Sequence, residues 1–309
     1  MIPPGRALSR LKGSTGQGLG LRKDRQPAGP ERDSAGQVWD KCGTVRGCGV
    51  RWDPQLYLRF DDERSRPYFD LVARLPELPA RRVADLGCGP GQLTATLAQR
   101  FPEAEIVGVD ASPEMVNAAR AGTKAGAVRF ELGDATTWQP EAPLDVLVSN
   151  AALHWIEDHV ERLGQWLGLI RPGGVFAFQV PANFAAPSHR SFAEQIASPQ
   201  WRDRIDPRVA DRPRSFEPVV YLEALLAFGA SVEVWETTYY HLLQGPDPVL
   251  TWIRATALGP VLAALAPDDV APFEAELGER LRAAYPEGLH GTVFPFRRVF
   301  AIATRPCER

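Results

Sequence analysis

Val83-Ala84-Asp85-Leu86-Gly87-Cys88-Gly89-Pro90-Gly91 decides the architecture of this chain. Val83–Leu86 reads as a short buried strand, the three glycines as a tight turn, and Gln92–Arg100 as a helix that starts at once. Glycine allows positive φ and lets a ligand approach with no Cβ in the way. The helix amino terminus behind the turn offers unpaired N–H groups. Further units of the same kind follow: strands over Glu105–Val109, Val128–Leu132, Asp145–Ser149 and Val175–Val180, with helices over Pro113–Arg120 and His159–Ile170. Short strands alternating with helices predict an α/β, Rossmann-like doubly wound sheet with helices on both faces.

Outward from this core the chain changes character twice. Residues 1–50 are rich in Gly, Arg, Ser and Pro and carry nine Lys/Arg against four Asp/Glu, a local charge of +5. With no sustained periodicity they read as a disordered extension, absent altogether if translation begins near Val50, or else as a basic tail for an acidic partner. Residues 51–309 read as one domain. Within it, 51–80 form a helical lid, with Leu56, Tyr57, Phe60, Pro67, Phe69, Leu71, Val72 and Leu75 covering the edge of the core. Residues 81–180 are the ligand-binding core, 181–230 and 244–290 are insertions that build a helical cap, and 231–243 and 293–304 are closing strands. A helix is expected over Tyr221–Phe228, and a set of helices over Pro246–Tyr285. Such a cap suits the carboxyl edge of the sheet, where open α/β folds bind their ligands.

Composition excludes several classes. Residues 51–309 hold 26 Lys/Arg against 34 Asp/Glu, a charge of −8, which is the wrong sign for wrapping nucleic acid. No run approaches the ~18 apolar residues of a membrane span, and Met1–Arg10 lack the apolar core of an export signal. Cys42, Cys48, Cys88 and Cys307 are too few and too scattered for a disulfide framework or a zinc site. A reduced, cytoplasmic setting follows, with no metal, no membrane and no nucleic-acid partner.

The glycine spacing then selects a ligand. A dinucleotide fingerprint, Gly-x-Gly-x-x-Gly, requires glycine at position 92, where this chain has Gln92. Asp85, two residues before the first glycine, would repel a pyrophosphate but can accept from a cationic amino group. Asp110 ends the second strand where an acid can accept from both ribose hydroxyls. Asp134 follows the third strand, where a carboxylate can accept from an adenine amino group, and Met115 can pack on the adenine. An acid at a strand end is also an ordinary cap or turn residue. Three in succession behind a glycine turn point instead to S-adenosylmethionine, which has an ammonium, a sulfonium and no phosphate.

With these residues in place, positions 81 to about 180 resemble the cofactor domain of class I S-adenosylmethionine-dependent methyltransferases. The resemblance implies seven strands with the last antiparallel. It also implies that Ser149-Asn150-Ala151-Ala152-Leu153-His154-Trp155 lies beside cofactor and substrate. The cofactor residues it implies are Asp85, Gly87, Cys88, Gly89, Gly91, Asp110, Ala111, Met115, Asp134, Ala135, Asn150 and Ala151. The segment is not of the Asn-Pro-Pro-Tyr type that methylates amino groups. More particular segments resemble bacterial trans-aconitate 2-methyltransferases. They are Trp52-Asp53-Pro54-x-x-Tyr57-Leu58-x-Phe60, Glu63-Arg64-Ser65-Arg66-Pro67, Asn150-Ala151-Ala152-Leu153-His154-Trp155, Trp235-x-Thr237-Thr238-Tyr239-Tyr240-His241 and Phe294-Pro295-Phe296-Arg297-Arg298-Val299-Phe300. Residues 1–50 lie outside the resemblance.

A carboxylate acceptor is consistent with what the sequence lacks. Its reference pKa of about 4 leaves it ionised at neutral pH, so no general base is needed. Alignment and exclusion of water can supply about 7–11 kcal/mol, and no catalytic triad or dyad is apparent. A small polycarboxylate does need cations and donors: Arg64 and Arg66 in the lid, Arg297 and Arg298 in the last strand, and Tyr57, Tyr239, Tyr240 and His241. His154 and Trp155 are expected to shape the pocket. Trp235 and Trp252 read as core or lid packing. Alternation along a strand puts Tyr239 and His241 on one face and Tyr240 on the other, and separates Arg297 from Arg298. The alternatives are a related enzyme acting on another small acid or a malonyl carrier thioester, and a protein that binds the cofactor without catalysis.

Overall fold

The computed structural model describes residues 61–307 apart from 124–125, 127, 206–214 and 255, together with a two-residue antiparallel ladder, Val38–Trp39 with Val45–Arg46. By internal contacts the chain divides into Met1–Gly49 and Val50–Arg309. In the second unit, three short strands are mostly buried, β1 (Arg82–Leu86), β2 (Glu105–Asp110) and β4 (Leu144–Asn150), and a fourth, β3 (Arg129–Leu132), lies at the edge with only Phe130 buried. The apolar runs of the inner three leave few polar side chains to solvate, and all four pair in parallel. Three longer strands continue the sheet, β5 (Ile170–Pro181), β6 (Ser231–Leu243) and β7 (Gly291–Thr304), and the two residues Glu287–Gly288 pair with the start of the last. The order is β3-β2-β1-β4-β5-β7-β6, with β7 antiparallel to both neighbours. The chain reverses its winding between β1 and β4, which opens a crevice at their carboxyl ends.

Alternate residues feed two cores. One face carries Leu86, Leu147, Phe176 and Phe178, covered by α4 (Leu163–Gly168) and α6 (Pro218–Ala227) through Trp166 and Tyr221. The other carries Val83, Ile106, Val146 and Val148, covered by α1 (Asp61–Ala73) and α2 (Gln92–Arg100) through Tyr68, Leu71 and Leu97. A third helix, α3 (Pro113–Gly122), starts from a Ser112 cap and packs Val116 and Ala119 on Phe130 and Cys88 beneath the glycine turn. Asp145 binds the start of β1, accepting from Arg81 N and Arg82 N at 2.7 and 2.8 Å, and it also pairs with Arg171.

The cap has its own core. Phe192 and Ile196 of α5 (Pro187–Ile196) share it with Trp252 of α7 (Pro248–Arg254), Val261 of α8 (Gly259–Ala264) and Phe273, Leu277 and Leu281 of α9 (Pro267–Ala284). Leu243, Phe294 and Phe296, from β6 and β7, belong to the same core. These two strands run 13 and 14 residues where β1 has five. The excess projects beyond the sheet as a two-stranded wall beneath the cap, at about 3.3 Å per residue.

Several sequence expectations are corrected. The helix expected over His159–Ile170 is confined to Leu163–Gly168. The cause is His159, whose buried ring bonds to Ile156 O at 2.8 Å and Tyr221 Oη at 2.9 Å and holds the preceding segment as turns. β5 begins early, pairing Ile170 with Leu144, then skips Arg171–Gly174 before Val175 meets Val146. Residues 218–227, assigned to the cap, form α6 on the sheet, where Tyr221 and Leu225 are fully buried. The lid's core face is Arg64, Tyr68, Leu71 and Leu75 at helical spacing, leaving Phe69 exposed. Leu56, Tyr57 and Phe60 lie outside the described residues.

The glycine turn separates two roles. At Gly87 (φ 75°) a Cβ would stand 2.1 Å from the Ala152 Cβ, so the exits of β1 and β4 touch only because the side chain is absent. At Gly89 (φ 55°) a Cβ would meet nothing within 4 Å. Gly87→Ala is therefore expected to cost ~3 kcal/mol from strain and overlap together, and Gly89→Ala about 1 kcal/mol. Urea unfolding of the two variants checks the order, which equal losses would refute.

Candidate active site

At the carboxyl end of the sheet the strand exits bring the expected acids together. Asp110 accepts from Gly89 N through Oδ2 and from Ser112 N through Oδ1, both at 2.9 Å, so it ties the glycine turn to the start of α3. Burial raises its pKa against those bonds. Asp85 is buried beneath the turn. Its Oδ2 accepts from Thr94 Oγ1 at 2.7 Å, while Oδ1 has no hydrogen-bond partner among the described residues. Burial pushes its pKa up to about 7; the Thr94 bond opposes this and the Asp110 charge adds to it. Asp134 is exposed and accepts from Thr136 N and Oγ1 at 2.8 Å, an Asx turn that opens the loop after β3. Ala111 is exposed, Ala135 packs on the sheet core, and Cys88 and Met115 are buried around the turn.

A pocket of about 690 Å³, open solvent included, lies between the exit of β4 and the cap, and neither the glycine turn nor the three acids line it. Six expected residues line it: Asn150, Ala151, His154, Trp155, Arg64 and Arg298. Arg64 donates to Trp252 O at 3.4 Å and lies 4.9 Å from the Trp252 ring centroid. Arg298 is buried, 4.6 Å from the Phe296 ring centroid, and donates to Gln179 Oε1 at 3.4 Å. Burial, with the Arg298 charge adding, holds His154 well below the usual histidine range, so its ring is neutral. Its buried Nδ1 has no hydrogen-bond partner among the described residues.

The remaining expected residues are not all brought in. Tyr239 is buried behind the pocket and donates to Asp70 Oδ2 at 2.5 Å. His241 stacks on Trp252 with centroids 4.8 Å apart. Burial takes its pKa down to about 4, with Arg298, Arg66 and Arg64 acting in the same sense. Both therefore support the wall of the pocket rather than line it. Arg297 is a correction: it lies on the opposite strand face, paired with Glu217 at 2.7 Å and with Glu236 at 2.5 Å. Tyr240 shares that outer side and is exposed. Trp235 stacks on Phe300 away from the pocket. Tyr57 lies outside the described residues.

Sequence reasoning missed Phe184 and His189, which line the pocket from the aperiodic segment after β5 and carry no pattern to flag them. It also missed Gln179, whose signal was present as a polar residue inside the apolar run Val175–Val180. Among the described residues no group of three or more His, Cys, Asp or Glu is placed to hold a metal ion, and no helix is long and apolar enough to cross a membrane.

Strand order, glycine turn and acids at successive exits together define the class I S-adenosylmethionine-dependent methyltransferases, and a family model described as a methyltransferase domain matches residues 83–174. The chain is 52% identical over 258 residues to a trans-aconitate 2-methyltransferase of Streptomyces avermitilis, covering 82% of this chain and 96% of that one. It is 44% identical over 256 residues to that of Mycobacterium tuberculosis, with the same two coverages. The chain belongs to the trans-aconitate 2-methyltransferase family. Solved structures share the fold at 15% identity: the YcgJ protein of Bacillus subtilis (TM-score 0.50) and a candidate methyltransferase of Bacillus halodurans (0.51), each covering 77% of this chain and 97% of the other.

Asp85 yields a pH test. Its folded pKa of about 7 exceeds the unfolded value of about 3.9. Between those values the folded protein keeps a proton that the unfolded chain has released, so this group's contribution falls as pH rises through the window. Asp85→Asn should raise the melting temperature of the ligand-free protein at pH 8 and leave it little changed at pH 4. A lower melting temperature at pH 8 would contradict the assignment.

Proposed function

We propose that this protein transfers the methyl group of S-adenosylmethionine to a carboxylate of trans-aconitate in the cytoplasm, giving a monomethyl ester and S-adenosylhomocysteine. The observation that carries this reading is one pocket in which the exit of β4 faces two arginines, Arg64 and Arg298, among aromatic rings. A tricarboxylate with a flat, conjugated alkene part matches such a lining: guanidinium forks for its carboxylates and flat rings for its conjugated carbons. Its partner is accordingly a small acid rather than a nucleic acid or a membrane.

The residues present fit the cofactor. Gly89 leaves open space above the turn, and the second Asp85 oxygen is a buried acceptor suited to an ammonium. Each Asp110 oxygen already accepts one backbone N–H and keeps a second lone pair for a ribose hydroxyl. Asp134 and Met115 would serve the adenine, and Cys88, Ala111, Ala135, Asn150 and Ala151 the walls around it. When bound, S-adenosylmethionine would supply a methyl carbon made electrophilic by its sulfonium, whose transfer to a carboxylate oxygen would leave the C–S electron pair on sulfur and require no proton movement.

The chain's own task is alignment. Arg64 and Arg298 anchor the carboxylates not undergoing reaction, while Trp155, Phe184, Trp252 and Phe296 exclude water that would screen these charges. His154, neutral and buried, serves as a wall and a hydrogen-bonding group, because the acceptor is ionised before it binds.

The test is methyl-labelled S-adenosylmethionine offered with trans-aconitate, cis-aconitate, citrate, isocitrate or a malonyl carrier. Base-labile label should appear fastest on trans-aconitate; cofactor binding with no label on any acid would refute the substrate. The strand neighbours give a sharper contrast. Arg298→Met should raise KM for trans-aconitate about thirty-fold or more, as expected for truncating a buried charged contact worth ~2 kcal/mol. Arg297→Met should leave KM within about twofold, since surface ion pairs contribute little. Steady-state kinetics decide between them, and the reverse ranking would overturn the pocket assignment.

A further inference from the structure

Gln179 sits fully buried in β5 between Phe178 and Val180, and no expected ligand contact involves it. A primary amide in such a place is unfavourable unless its groups are used, and here both ends are used. Nε2 donates to Asn150 Oδ1 at 2.6 Å, and Oε1 accepts from Arg298 Nη1 at 3.4 Å. The main-chain oxygen accepts from Ala151 N at 3.0 Å. Ala151 has φ of 52°, a conformation that L side chains adopt only where surrounding contacts hold it. One residue thus grips the turn on the cofactor side and the arginine on the substrate side. The three strands involved, β4, β5 and β7, are adjacent in the sheet.

We propose that Gln179 is a positioning residue that fixes Arg298 against the Asn150–Ala151 turn, so that methyl donor and acceptor carboxylate are held in one frame and each ligand binds more tightly when the other is present. The inference rests on the function proposed above and adds to it a coupling between the two halves of the site. A leucine at this position would continue the apolar run and fill similar space, but would leave the Asn150 amide and the Arg298 guanidinium without this bridge. A glutamate would keep an acceptor for Arg298, and Asn150 could turn its amide to donate. The frame would survive, but a negative charge would stand beside the acid-binding arginine.

Calorimetric titration of the full-length protein with trans-aconitate, with and without saturating S-adenosylhomocysteine, reads the coupling directly. The wild type should bind the acid about fivefold or more tightly when the nucleoside is present, within the usual range for coupled sites. In Gln179→Leu the ratio should fall to about one while S-adenosylhomocysteine alone still binds within about twofold, and kcat should drop about a hundredfold through misalignment. Gln179→Glu should recover much of that kcat and keep the ratio above one while raising KM. A wild-type ratio of one overturns the inference, as does a Gln179→Leu variant with unchanged ratio and kcat. So does a variant that loses cofactor affinity and melting temperature in step with kcat, which is a structural defect. A wild-type enzyme inert toward trans-aconitate overturns the substrate assignment and this inference together, whereas an active wild type beside an unaltered Gln179→Leu variant overturns this inference alone.

Discussion

The contact between Gly87 and Ala152 is the constraint on which the remaining geometry depends. Two strand exits can meet there only while one of them lacks a side chain. Their meeting places the glycine turn next to the segment that leads into the pocket. Asp110 adds the second tie, holding the Gly89 amide and the start of α3 with one carboxylate. The turn is therefore tied at both ends by the protein itself, with open space over Gly89. Preorganisation of this kind lowers the ordering cost of binding.

Around that fixed point the chain resolves a conflict between burial and charge. Guanidinium groups are costly to bury alone. Arg64 and Arg298 are nonetheless almost fully enclosed, each against an aromatic ring and each with a carbonyl oxygen as acceptor. The rings accept positive charge on their faces. Burial first, and these charges in the same sense, disfavour protonation of His154 and His241. Under the function proposed above, a polyanion would meet a site whose positive charge is carried by arginine rather than by histidine.

The parts of this arrangement that could be read from residues alone were those governed by period and spacing. The glycine turn, the short buried strands and the alternation in β6 and β7 follow from how side chains repeat along a strand. Alternation also required that Arg297 and Arg298 part company, but not which would face inward. Pairing of β7 with β5, and Glu217 and Glu236 waiting on the outer side, make that choice, and both are long-range facts. Phe184 and His189 had no periodic context to mark them. The exchange of cap for sheet at α6 turned on Tyr221 finding His159, 62 residues away in sequence. Gln179 was legible as an anomaly in an apolar run, and its meaning came only with its partners.

The cap's separate core has a consequence for how the molecule breathes. Cooperative opening units tend to follow contiguous packed clusters. The cluster around Trp252, Phe273 and Phe294 is distinct from the two that sandwich the sheet. The roof, with the ends of β6 and β7 that share its core, can then loosen as a unit while the parallel strands, the glycine turn and the acids below keep their protection against exchange. Traffic of a highly charged acid inward and of its ester outward would be charged to the stability of the roof alone, and the floor can remain as stiff as alignment requires.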